Sequence, residues 1–125
     1  MSSLIVSGID LIEINRFTEI DPGIRARFIR RVFTPAEQLE CNDIDERLAG
    51  KFAAKEAVAK ALGSGVGQVS WQDIAILTDP SGQPQVVLKR TAAQIADSLH
   101  LVKWSVSITH TRELAAAVAV ALSSD

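Results

Sequence analysis

Residues 46–62, ERLAGKFAAKEAVAKAL, constrain the fold more than any other part of the chain. They read as one long helix that stops at Gly63, a residue suited to the left-handed turn that ends helices. At about 100° per residue the side chains sort into stripes. Gly50, Ala54, Ala57 and Ala61 form a stripe of small residues, against which another backbone can lie closely. Leu48, Phe52, Ala59 and Leu62 form a larger apolar stripe. Glu56 and Lys60 share a third side, one turn apart, and Lys51 and Lys55 share a fourth. A helix apolar on two sides has little face left for solvent, so its charges are expected to line a cleft. The plainer alternative for Glu56 and Lys60 is a surface ion pair, which stabilises a helix by only about 0.2–0.5 kcal/mol.

The rest of the chain supplies partners for this helix. Residues 3–9, SLIVSGI, read as a strand with Asp10 at its end. Residues 24–33 read as a short helix. Thr34-Pro35-Ala36-Glu37 carries the signature of a capping box with proline in the first turn, opening another short helix to about Cys41. After a polar link at 42–46 and the long helix, residues 74–77 and 84–88 read as a hairpin around Asp79-Pro80-Ser81-Gly82. Residues 91–101 read as an amphipathic helix capped by Thr91, with His100 on it. Val102, Trp104, Val106 and Ile108 alternate with polar residues, as in a half-buried strand that ends at His110. After a turn, residues 114–122 are expected to form a more deeply buried last strand. The pattern predicts a single α+β domain over residues 1–125, an antiparallel sheet packed with a long helix and shorter helices.

Composition narrows the function classes. A net charge of −2 argues against a basic nucleic-acid-binding protein, and Cys41, the single cysteine, points to a reducing, cytoplasmic setting. No apolar run approaches the roughly 18 residues that cross a bilayer, and the N-terminus lacks a basic leader region. The charge is uneven: residues 16–31 hold five arginines against two acids on an otherwise acidic chain. That is either a solvated helix face or a docking arm for an acidic partner.

Candidate chemistry centres on acids in apolar surroundings. Asp10 and Glu56 lie within largely apolar segments, and a carboxylate there needs a partner or a cation. Two carboxylates with water and phosphate oxygens are the usual ligands of Mg²⁺, although Asp10 is equally readable as a strand-end carboxylate bonded to backbone N–H groups. One cysteine and two distant histidines give no zinc site, and no G-x-S-x-G supports a serine nucleophile. The segment 63–67, GSGVG, does not follow a strand, so it is neither a dinucleotide fingerprint nor a P-loop. It reads as a helix cap leading into a loop, or as backbone that a phosphate can approach.

As an ordered set these pieces resemble the holo-acyl-carrier-protein synthase family, the small bacterial 4′-phosphopantetheinyl transferases. The resemblance rests on Gly8-Ile9-Asp10-Leu11-Ile12-Glu13 with Arg16 and Phe17, on residues 48–57 (LAGKFAAKEA) continuing through Lys60 to Gly63-Ser64-Gly65, and on Val106-Ser107-Ile108-Thr109-His110-Thr111. Ser64 and Thr109 stand where many members carry the other hydroxyl residue. The resemblance implies the 4′-phosphopantetheinyl transferase fold and a homotrimer with active sites between protomers. It implies transfer of the 4′-phosphopantetheine arm of coenzyme A to a serine of apo-acyl carrier protein, releasing adenosine 3′,5′-bisphosphate, with Mg²⁺ as cofactor and a role in fatty acid biosynthesis. Asp10 and Glu56 would hold the metal, and Glu56 and Lys60 would be catalytic, the serine proton going to Glu56 or to a metal-bound water. Lys51, Lys60, Gly63, Ser64, Gly65, His110 and Thr111 would bind coenzyme A. Arg16, Arg25 and Arg27 would meet the acidic carrier. The competing readings are a non-catalytic module that binds an acidic partner through residues 16–31, and a metal-dependent phosphohydrolase acting on coenzyme A.

Overall fold

The computed structural model describes residues 3–63 and 69–124. Strand β1 (Ile5–Glu13) leads through a single helical turn, α1 (Asn15–Thr18), into α2 (Pro22–Val32) and α3 (Pro35–Cys41). The long helix α4 (Asp45–Ala61) follows, then a 3₁₀ turn (Trp71–Asp73) and the hairpin β2 (Ile74–Thr78) and β3 (Pro84–Leu88). Helix α5 (Arg90–Ser98) precedes β4 (Leu101–His110) and β5 (Leu114–Ser123). The strands form two antiparallel sheets, β1-β5-β4 and β2-β3, where a single sheet was expected. Helix α4 lies between them: its side chains reach the β2 carbonyls of Ile74 and Ile76 and the β1 carbonyl of Ile9.

Small residues on both partners bring α4 onto the large sheet. On β5, Ala115, Ala117, Ala119 and Ala121 are buried and alternate with more exposed residues. The last strand is more deeply buried than β4, as expected, and its valines at 118 and 120 and Leu122 point to the outer face. On β1, Val6, Gly8, Asp10 and Ile12 point inward while Ile5, Ile9 and Leu11 are exposed. A Cβ added at Gly8 would sit 1.9 Å from the Ala57 carbonyl oxygen and 2.8 Å from the Ala61 nitrogen. The strand backbone therefore rests on the helix backbone, as the small stripe of α4 anticipated. Twelve residues of α4 are buried, including Lys51 and Lys55. A helix covered nearly all round is a core element.

Local signals set the other boundaries. The Thr34–Glu37 capping box is present in both directions, and Gly63 takes φ +81° at the end of α4. Strand β1 continues to Glu13 because its alternation and its pairing with β5 continue to Leu114, so Asp10 is interior to the strand and not at its end. Helix α2 starts at Pro22, earlier than expected, because the Asp21 carboxylate accepts the N–H groups of Gly23 and Ile24. Thr91 does not cap α5, which begins at Arg90 after Lys89 with no side-chain cap. That helix ends at Ser98, leaving His100 in a left-handed turn at φ +57°.

Replacing Gly8 by alanine is expected to destabilise the protein by about 1–3 kcal/mol, the range for overpacking, since only backbone lies in the way. Urea unfolding measures it. Gly82→Ala, at φ +91° in open space, is the control for strain without a clash.

Candidate active site

Two elements distant in sequence meet at a cluster of charge. The inward phase of β1 aims Asp10 at α4, and the next carbonyl back along the strand is Ile9. The Lys60 ammonium donates to Asp10 Oδ1 at 3.1 Å and to the Ile9 carbonyl at 2.9 Å. Glu56, one turn earlier on α4, is half-buried beside them. Burial raises its carboxyl above the ordinary glutamate range, the Asp10 charge raises it further, and Lys60 opposes both. The ion pair of Lys60 runs across to β1 and not along the helix to Glu56, which removes the plain i,i+4 surface pair as an explanation.

The donor set fits a hard divalent cation. Two carboxylates disfavour each other's charge, a cost that a divalent ion relieves, and both offer oxygen ligands. Among the described residues no group of three or more His, Cys, Asp or Glu side chains could hold a metal.

A second charged region lies on the other side of α4. Lys51 is nine residues from Lys60, roughly 180° around a helix. It faces β2, donating to Glu40 Oε1 at 2.7 Å and to the Ile76 carbonyl. It lines a cavity of about 500 Å³ with Gly50, Ile76, Pro84, Ile108 and His110. Thr111 lies at the neighbouring hollow beside His110 and Arg47, its Oγ1 accepting the N–H of Leu114 at 3.1 Å. Within one chain, therefore, the structure gathers Asp10, Glu56 and Lys60 in one place and Lys51, His110 and Thr111 in another. Gly63 follows α4 at the Lys60 end, while Ser64 and Gly65 lie outside the described residues.

The basic segment divides. Arg16 and Arg27 are exposed, and Arg16 borders an apolar hollow of about 270 Å³ formed with Ile12, Phe17, Ile20, Phe28 and Phe52. Arg25 departs from the expectation of a free docking residue. Its guanidinium is bound at 2.6 Å by both Asp43 and Asp45 and at 3.1 Å by the Phe17 carbonyl, tying α2 to the start of α4. Sequence reasoning gave no site role to Glu37, Glu40, Lys55 or Arg47. The i,i+3 spacing of the two glutamates, set against the i,i+4 spacing of Lys51 and Lys55, was the available signal.

The fold is that of a known class of group-transfer enzymes. A family model for the 4′-phosphopantetheinyl transferase superfamily matches residues 7–119. The holo-[acyl-carrier-protein] synthase of Alkaliphilus oremlandii is 45% identical over 118 residues, covering 92% of this chain and 96% of that protein. The Helicobacter pylori holo-[acyl-carrier-protein] synthase solved in complex with coenzyme A has a TM-score of 0.83 and 34% identity, over 92% of this chain and 98% of that one. The Plasmodium yoelii acyl carrier protein synthase with ADP bound has a TM-score of 0.87 and 30% identity over 100% of both chains. The chain belongs to the 4′-phosphopantetheinyl transferase superfamily and, within it, to the holo-[acyl-carrier-protein] synthases, and it is an enzyme of that kind.

The electrostatics of the cluster give a signed expectation for the metal-free protein in chelator. Asp10→Asn removes a charge that raises the Glu56 titration, so Glu56 should titrate lower. Lys60→Met removes the opposing charge, so Glu56 should titrate higher. Carboxyl-carbon NMR of Glu56 reads both shifts, and shifts of the opposite sign would contradict the arrangement.

Proposed function

We propose that the enzyme transfers the 4′-phosphopantetheine arm of coenzyme A to a serine hydroxyl of apo-acyl carrier protein, with adenosine 3′,5′-bisphosphate leaving and Mg²⁺ as cofactor. The observation that carries this reading is the meeting of Asp10, Glu56 and Lys60. Asp10 and Glu56 would hold the cation. Bound there, Mg²⁺ would neutralise charge on the pyrophosphate of coenzyme A, which otherwise repels an incoming hydroxyl oxygen.

The protein's own residues do the rest. Lys60 is half-exposed, so its ammonium can reach a phosphate oxygen from its position on Asp10 and stabilise the charge that builds on the phosphoryl group in transfer. Glu56, a half-buried carboxylate one turn before Lys60 on α4, is the residue proposed to accept the serine proton. Lys51, His110 and Thr111 are proposed to hold the nucleotide phosphates. Gly63, Ser64 and Gly65 are proposed to let the pantetheine arm lie against backbone. Arg16 and Arg27 are proposed to meet acidic side chains of the carrier, which also gives the apolar hollow beside Arg16 a place in docking.

The opposite placement of Lys51 and Lys60 around α4 supports a site completed between subunits, and the proposed assembly is a homotrimer. The outer face of the large sheet supports self-association. Ile5, Ile9 and Leu11 are each more than 60% exposed, and Val118, Val120 and Leu122 adjoin them across the β1–β5 ladder. The enzyme is proposed to act in the cytoplasm, in fatty acid biosynthesis. Among the described residues no helix is long and apolar enough to cross a membrane.

Incubation with coenzyme A, Mg²⁺ and an apo carrier should add one phosphopantetheinyl group to the carrier, seen by mass spectrometry. Chelator or Glu56→Gln should abolish the addition. Lys60→Ala should lose turnover more than carrier binding, whereas Arg27→Ala should weaken carrier binding, most at low salt. No mass gain in the complete mixture would reject the transferase, and coenzyme A hydrolysis without carrier would favour a phosphohydrolase.

A further inference from the structure

The outer edge of β2 is covered by side chains in place of a third strand. Strand β3 pairs with one edge. On the other edge, the Ile74 carbonyl accepts from Lys55, the Ile76 N–H donates to Glu37, the Ile76 carbonyl accepts from Lys51, and the Thr78 N–H donates to Glu40. Each lysine also donates to the glutamate of its own rung at 2.7 Å, Lys55 to Glu37 and Lys51 to Glu40. Two lysine–glutamate rungs thus repeat the donor and acceptor order of a strand.

The rungs differ in setting. Lys55 and Glu37 are both fully buried, and Glu37 also accepts the Thr34 N–H of its capping box. That rung is a closed structural unit. The outer rung opens on the cavity of about 500 Å³: Lys51 is 9% exposed and Glu40 31%. Lysine has three N–H donors. Glu40 and the Ile76 carbonyl take two, and the third has no acceptor among the described residues.

We propose that Glu40 is a positioning residue for coenzyme A: with the Ile76 carbonyl it fixes the Lys51 ammonium on the wall of this cavity, so that the remaining N–H meets a phosphate of the nucleotide end. The inference rests on the proposed transferase reading, which places that end beside Lys51 and His110. An acid next to an anion-binding lysine lowers the local positive charge, so Glu40 has a cost for binding. Its compensation is order: a free lysine must restrict several rotors to meet a phosphate, whereas Lys51 is already held. Position therefore outweighs charge in this account, and the balance can be measured.

Coenzyme A binding is measured by calorimetry, with steady-state kinetics alongside, for the wild type, Glu40→Ala, Glu40→Gln, Lys51→Ala and the Glu40→Ala/Lys51→Ala double variant. Glu40→Ala should weaken coenzyme A binding roughly 5- to 20-fold, with kcat at saturating coenzyme A within about twofold. Glu40→Gln keeps a side-chain acceptor and should stay within about threefold of wild type. In the Lys51→Ala background, Glu40→Ala should have no further effect. Binding unchanged or tighter in Glu40→Ala, or an equal loss without Lys51, overturns the role of Glu40 and leaves the transferase reading intact. Wild-type protein that does not bind coenzyme A overturns that reading, and with it this inference. The double variant carries no unpaired charge at the rung, so it reports on folding if Glu40→Ala alone is unstable.

Discussion

The structure depends on a close approach of two backbones. Strand β1 rests on α4 where Gly8 faces Ala57 and Ala61, with no room for even a methyl group between them. Asp10, two residues further along β1 and in the same inward phase, is thereby delivered to the turn of α4 that carries Glu56 and Lys60. A larger residue at 8 would move the acid away from its partners. Packing and chemistry are therefore one constraint here: the alanines of α4 and β5 set the depth at which the sheet meets the helix, and that depth sets the site.

Helix α4 distributes charge to both its flanks. On the β2 side Lys51 and Lys55 are taken up by Glu40 and Glu37 and by strand carbonyls, so their charges serve order. Burial lowers the Lys55 titration, and the adjacent Glu37 carboxylate opposes that fall and keeps the pair matched. On the β1 side the balance is different. Two acids face one lysine, and the lysine is half in solvent. That excess of negative charge at a partly open site is what a divalent cation and a phosphate-bearing substrate can complete.

Much of this was legible in the chain. The small stripe of α4 announced a close contact, and the Thr34–Glu37 box and Gly63 marked helix ends as the structure has them. Asp10, Glu56 and Lys60 stood out as charges in apolar segments. What was hidden depended on pairing across space. The phase of β1 beyond Asp10 follows from its ladder with β5, and the split into two sheets follows from α4 lying between them. Arg25 reads in sequence like its neighbouring arginines, and only the fold brings Asp43 and Asp45 to it. The partners of Lys51 and Lys55 were not legible either, because Glu40 and Glu37 lie on a different helix.

The central claim is that Asp10 and Glu56 act as one divalent-cation site. Titration of the protein with Mn²⁺, followed by electron paramagnetic resonance, tests it most directly. One tight Mn²⁺ per chain, displaced by Mg²⁺ and lost in both Asp10→Asn and Glu56→Gln, is the predicted result. Binding that survives either substitution unchanged would contradict it.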